Sequence, residues 1–151
     1  MNDMQVGQAI IMRLATENIP ALWPQLEPLI VRSLFDTPTT TAEDVFRMLM
    51  AYRADAWVQI QPETTTVQAL SITDYESTPQ GVWLRVWLCA VADGYRLKTQ
   101  EFRSAIERWK TRQRCRGLSL VGRHGWVKLF PDAKVEGVMM RTTDAYVEDS
   151  P

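Results

Sequence analysis

The chain holds a single histidine, His124, set between Gly122 and Gly125 with Arg123 beside it. An imidazole titrates near neutrality, so His124 is a candidate general base, but that chemistry needs a partner to orient the ring, and the sequence offers no evident carboxylate. The other reading is a turn or surface residue. Arg123 would either bind an anion against the turn or pair locally and pin the turn to the preceding helix. Trp83, Arg85 and Trp87 alternate along a strand-like run and so share one face. Aromatic rings and guanidinium groups are what typically anchor protein interfaces, while burial beneath helices is the competing explanation. From Lys98 to His124 there are eight Lys or Arg and two acids, Glu101 and Glu107. Arg108, Arg112, Arg114 and Arg116 belong to this run, which could meet DNA phosphates without reading sequence, or could simply be a solvated helix face.

Several chemistries are not represented. Cys89 and Cys115 are too few for a disulfide framework, and with one histidine a zinc site would need carboxylates to complete it; both read as small core residues. No P-loop, nucleophile elbow or paired-carboxylate phrase is present, and Asp132 and Glu136 sit in too exposed a context for an acid/base pair. A formal net charge of −1 gives no global attraction to nucleic acid or to an anionic membrane. Apolar windows break well short of the roughly 18 residues of a membrane span. The amino terminus lacks a basic flank and an apolar signal core, which favours synthesis in the cytoplasm. At 151 residues, 46% hydrophobic and 23% charged, the chain reads as one globular domain able to bury a core without metal or disulfide.

The elements that must position these groups follow from periodicity. Residues 10–15 alternate weakly and suggest a first strand. Residues 19–35 repeat at helical spacing through Leu22, Trp23, Leu26, Leu29 and Ile30; Pro20 and Pro24 suit a first turn, and Pro28 predicts a kink or tilt. Thr40 and Glu43 have capping-box spacing before a second helix with Val45, Phe46, Leu49 and Met50 on its inner face. Residues 56–60, 66–73 and 81–91 predict an antiparallel meander, its third strand the longest. A helix over 98–115 presents Phe102, Ala105, Ile106 and Trp109 inward. Leu118, Leu120 and Val121 predict a strand, Trp126, Leu129 and Phe130 a short helix, and residues 135–142 a last strand before a polar, acidic tail at 143–151. Met48, Met50, Met139 and Met140 read as adaptable core filling.

Strand, two helices, three meandering strands, helix, strand, short helix, strand is an order that resembles the GNAT N-acetyltransferase fold over residues 10–142. Two phrases sharpen the resemblance: Trp23-Pro-Gln-Leu-Glu-Pro-Leu in the first helix, and Cys115-Arg-Gly through Gly122-Arg-His-Gly-Trp126 after the long helix. Together they resemble the degenerate GNAT-like proteins that tailed bacteriophages encode among their virion genes, including internal virion proteins. In active family members the loop before the long helix carries an Arg/Gln-x-x-Gly-x-Gly/Ala phrase that holds the acetyl-CoA pyrophosphate on backbone amides. Residues 92–99 stand there as Ala-Asp-Gly-Tyr-Arg-Leu-Lys-Thr, with one glycine and with Tyr95 and Leu97 as crowding side chains. The meander shows no convincing acid/base Glu, and Trp126 and Phe130 occupy the segment where the family carries a Tyr.

The reading is therefore a single α/β (α+β) domain, 1–142, with a GNAT-like mixed, mostly antiparallel sheet flanked by helices. The resemblance implies a non-catalytic virion or head-tail assembly protein, made in the host cytoplasm and carried in the virion, without cofactor. Its partners would be portal, head or tail components or further copies of itself, and its interaction candidates are Trp83, Arg85, Trp87, Arg108, Arg112, Arg114, Arg116 and Arg123. One alternative is an active acyl-CoA-dependent N-acetyltransferase, holding acetyl-CoA through Gly94, Arg96, Lys98 and Thr99. The other is a DNA-associated packaging or ejection factor.

Overall fold

The computed structural model describes residues 8–34 and 39–120. Strands β1 (Ile10–Arg13), β2 (Asp55–Gln61), β3 (Thr66–Thr78), β4 (Gly81–Val91) and β5 (Leu118–Leu120) form one sheet in which spatial order equals chain order. The first four pair antiparallel, and β4 with β5 pairs parallel. A parallel pair needs a crossover, and helix α3 (Thr99–Arg112) supplies it. Helices α1 (Ile19–Ser33) and α2 (Ala42–Met50) fall between β1 and β2 in the chain. They bury Leu22, Leu26, Ile30, Val45 and Leu49 in one core with Val58, Leu70 and Ile72 of the sheet. On the opposite face Phe102, Ala105 and Ile106 of α3 form a second core with Trp57, Ala69, Leu84 and Val86. The expected mixed, mostly antiparallel sheet flanked by helices is what the chain forms. Among the described residues no helix is long and apolar enough to cross a membrane.

Local expectations needed correction at several places. The first strand stops at Arg13, because Leu14 turns into the core while its amide bonds the Ala56 carbonyl at 2.8 Å. Helix α1 runs unbroken through Pro24 and Pro28. Pro20, Pro24 and Pro28 stand at i, i+4 and i+8 on the exposed side, so the helical hydrogen bonds they cannot make are lost on the side that water reaches. The capping box lies one residue later than its sequence spacing suggested. Thr41 Oγ1 accepts from the Asp44 amide at 3.1 Å, and Asp44 Oδ2 accepts from the Thr41 amide at 2.9 Å.

A first prediction arises here. Thr41→Ala should destabilise the protein by about 1 kcal/mol, the usual worth of such a cap, measured by urea unfolding. The backbone and hydroxyl hydrogen bonds from Thr41 hold the Asp44 carboxyl below its ordinary 3.8. The contribution of Asp44 is thus complete above that value and is lost as pH falls through the lower folded-state value. An unfolding midpoint that Thr41→Ala leaves unchanged at neutral pH would sink this account.

The meander also differs in length and phase. β3, at 13 residues, is longer than the 11-residue β4, because its exposed end from Tyr75 to Thr78 pairs with Gly81–Leu84. Thr73 pairs with Val86 and Ile72 with Leu88, leaving Trp87 as an extra residue in β4. This β-bulge inverts the strand's alternation: Leu84 and Val86 join the α3 core, whereas Leu88 and Ala90 join the α1/α2 core. Leu88 therefore does not continue the face of Leu84 and Val86, as simple alternation had implied. Gln68 is a similar extra residue in β3, opposite Gln59 and Ile60.

The helix expected over 98–115 ends at Arg112, where Arg114 adopts φ 58° and the Cys115 amide bonds the Lys110 carbonyl at 3.0 Å. Cys89 and Cys115 are free; the Cys89 thiol is buried, and Cys115 packs partly against the α3 core. The readings at Val121, Gly122, Arg123, His124, Gly125, Trp126, Phe130, Asp132, Glu136, Met139 and Met140, and the strand and tail at 135–151, lie outside the described residues.

Candidate functional site

The bulge at Trp87 marks the place where β4 leaves its regular course, and bulges of this kind recur beside active sites. Among the described residues, β5 pairs with β4 across Leu84, Arg85 and Val86. Beyond the bulge, side chains at the end of α1 reach the backbone of β4. Ser33 Oγ donates to the Cys89 carbonyl at 3.2 Å, and Arg32 Nη1 donates to the Val91 carbonyl at 2.6 Å. These acceptors are satisfied from within the chain. The Cys89 thiol is pushed up to about 12 by burial, so it carries almost no thiolate near neutral pH and is no nucleophile.

The segment from β4 to α3 is held by one buried glutamine. Gln59 is 2% exposed, its Oε1 accepts from the Lys98 amide at 2.8 Å, and its Nε2 donates to the Arg96 carbonyl at 2.9 Å and to Gln68 Oε1 at 2.8 Å. The Thr99 amide donates to the Leu97 carbonyl at 2.9 Å, and the Tyr95 amide to the Ala92 carbonyl at 3.2 Å. Helix amides are orphan donors that usually make a helix start an anion site. Here the amides of Lys98 and Thr99 are already engaged. Gly94 and Arg96 are exposed, while Lys98 and Thr99 are half-buried.

Trp83, Arg85 and Trp87 lie on the sheet face opposite Leu84 and Val86, each half-buried. Arg85 is committed to Asp74: Nε to Oδ1 is 2.8 Å and Nη2 to Oδ2 is 2.6 Å. That bidentate hydrogen bonding raises the guanidinium pKa against the opposing effect of burial. Trp87 packs against the α1/α2 core. A Cβ on Gly117 would lie 2.6 Å from Trp83 Cζ3, so the indole seats directly on that backbone. All three members of this trio, then, have internal partners. Arg108, Arg112, Arg114 and Arg116 are all exposed.

No protein-family model and no curated protein matches the chain. Among solved structures, an aminoglycoside acetyltransferase from an uncultured soil metagenomic sample, in complex with sisomicin, superposes with a TM-score of 0.69 at 13% identity, covering 91% of this chain and 97% of that one. A GNAT family acetyltransferase of Staphylococcus aureus gives 0.61 at 14% identity, covering 92% and 100%. An aminoglycoside N-acetyltransferase in complex with CoA gives 0.64 at 10% identity, covering 92% and 97%. The fold is that of the GNAT acetyltransferases.

On this GNAT-like frame the sequence reading missed two clusters. One is the Gln59 node, invisible because a glutamine within Ala-Trp-Val-Gln-Ile-Gln reads as an ordinary outward position. The other fastens the far end of α3. The Arg13 guanidinium lies 4.0 Å from the Trp109 ring centroid and 3.2 Å from Asp55 Oδ1, Trp109 Nε1 donates to the Tyr75 hydroxyl at 3.0 Å, and Trp57 meets Trp109 edge to face at 6.0 Å. Burial raises the pKa of both Asp55 and Tyr75, against opposing contributions from Arg13 and Trp109. Raised groups in one place are an active-site signature in general, but each here is bonded to a packing partner. The arrangement serves as a clasp between helix and sheet. Among the described residues no group of His, Cys, Asp and Glu could hold a metal ion.

Proposed function

We propose that this GNAT-fold chain acts by protein contact and not by acetyl transfer, as a virion or head-tail assembly protein of a tailed bacteriophage. The observation that supports the non-catalytic part is the Lys98 amide, bonded to buried Gln59 at the very place where the fold's enzymes present amides to pyrophosphate. The Thr99 amide is likewise engaged, and the Cys89 and Val91 carbonyls of β4 are taken by Ser33 and Arg32. With the Lys98 and Thr99 amides engaged, these residues do not fit a pyrophosphate cradle. The phage assignment rests on the sequence phrases at Trp23 and Cys115. Exposed Tyr75 and Val82, 39% accessible each at the free end of the β3/β4 hairpin, offer apolar contact area.

The second reading, an acyl-CoA-dependent N-acetyltransferase, is favoured by the solved neighbours, which are acetyltransferases. It would use Gly94, Arg96, Lys98 and Thr99, and would require Gln59 to release the Lys98 amide.

Calorimetric titration with acetyl-CoA, alongside thermal unfolding, separates the two. A ligand at 100 times its Kd stabilises the folded state by about 2.7 kcal/mol. The expected result is no heat and no shift in Tm at millimolar acetyl-CoA; micromolar binding with a raised Tm would overturn the non-catalytic reading. Immunoblotting of purified particles tests the virion role, which fails if the protein is absent from them.

A further inference from the structure

We propose that the carboxyl-terminal end of α3, with the turn after it, is a docking surface for the phosphodiester backbone of nucleic acid, carried by Arg108, Arg112, Arg114 and Arg116. All four are exposed, and among the described residues none of their side chains makes a hydrogen bond or ion pair. The nearby acid is already spent: Glu107 faces Lys110 at 2.9 Å and Arg103 at 4.0 Å. The other acid of the segment, Glu101, sits in the first turn of α3, at the opposite end. From Lys98 to Leu120 the chain has seven basic and two acidic side chains, in a protein whose net charge is −1. Positive charge is thus gathered at one place on a slightly acidic molecule.

The surface is also held in shape. Arg108 and Arg112 stand one helical turn apart on the exposed side of α3. Arg114 is fixed at φ 58° by its amide bond to the Thr111 carbonyl at 3.0 Å. The Arg116 amide bonds the Val82 carbonyl at 2.8 Å, and the Arg116 stem crosses Gly81 so closely that a Cβ there would lie 2.7 Å from its Cδ. Anchoring the stem lowers the entropy lost when the guanidinium binds.

Nucleic acid fits this surface better than a protein partner does. Between Arg108 and Arg116 the exposed residues are Arg108, Thr111, Arg112, Gln113, Arg114 and Arg116, all of them polar. Protein interfaces are anchored by buried aromatic or aliphatic side chains, and none is offered here. Guanidinium forks match phosphate oxygens, and Thr and Gln are ordinary phosphate donors. Phosphate oxygens are common to every sequence, so binding through them would be independent of sequence. The inference does not depend on whether the cofactor side is active.

The test is fluorescence anisotropy of a labelled DNA duplex of arbitrary sequence, titrated with the full chain across a range of salt. Four phosphate contacts predict a slope of log K against log salt of about −3.6. Arg112→Gln with Arg114→Gln should reduce that slope by about two, and Arg53→Gln, an exposed arginine outside the patch, should leave it unchanged. Unaltered thermal unfolding of each variant confirms that the fold survives. The proposal fails if no duplex binding is found at low salt, if the slope is the same in wild type and double variant, or if polyglutamate binds as tightly as the duplex. That last result would mark the patch as a receptor for acidic protein.

Discussion

Arg85→Met is expected to destabilise the protein by about 3–5 kcal/mol, because it strips the counter-charge from a carboxylate that cannot reach water. The Asp74 side chain is 7% exposed and its two oxygens accept separately from Arg85 Nε and Nη2. Arg85 itself is 30% exposed, which places the loss toward the lower end of that range. Its other neighbour, the Trp87 ring at 5.7 Å, contributes at most about 1 kcal/mol at such a position. The controlling comparison is Asp74→Leu with Arg85→Met, which removes both charges and should recover most of the loss. Against a typical folding stability of about 5–15 kcal/mol the single variant would be visibly compromised in urea unfolding. A loss under about 1 kcal/mol would mean that Asp74 finds solvent when Arg85 is gone.

Trp109→Ala carries the next largest effect, about 3 kcal/mol, at the lower bound for truncating a core tryptophan because the ring is only partly covered. The indole is the common contact of the clasp, meeting Trp57 edge to face, lying under Arg13 and donating to Tyr75. Trp109→Phe keeps an aromatic ring but removes the Nε1 donor and part of the indole's area, so its cost should fall between the about 1 kcal/mol of the lost hydrogen bond and the full loss of the alanine variant. It also has a spectroscopic signature. Tyr75 titrates above its ordinary 10.0 chiefly because its hydroxyl is partly desolvated, and the Trp109 hydrogen bond opposes that by favouring phenolate. Loss of the donor should therefore raise the tyrosine titration further, read by ultraviolet difference spectra at alkaline pH. A downward shift would contradict the assigned geometry.

The architecture was legible where side chains alternate or repeat strongly enough to reveal a face. Phe102, Ala105 and Ile106 announced the buried side of α3, and the meander of β2, β3 and β4 followed from short polar connections. The end of β3 was not legible, because Tyr75, Glu76 and Ser77 are exposed and show no burial pattern; only pairing with β4 makes them a strand. The pairing of Asp74 with Arg85 depends on a register that no single strand discloses. Gln59 was overlooked for a related reason. Glutamine in a strand normally marks the wet side, whereas here the sheet and the start of α3 enclose it and give both of its amide hydrogens and its carbonyl oxygen a partner. Trp83, Arg85 and Trp87 were correctly seen as sharing a face, but the internal partners of Arg85 and Trp87 could be known only from three dimensions.

The extra residue at Trp87 gives β4 something akin to a reading frame. Leu84 and Val86 belong to one core and Leu88 and Ala90 to the other because Trp87 stands unpaired between the two pairs. Substitution of one apolar side chain for another leaves that parity intact, and so would loss of Trp87 itself, because Val86 and Leu88 already face the consecutive residues Thr73 and Ile72; a further residue admitted in regular pairing between them would send one pair through to the wrong side of the sheet. Bulged and regular forms of β4 are thus interchangeable at this point: a chain lacking Trp87 keeps the same two cores and gives up only the packing of one indole against α1 and α2.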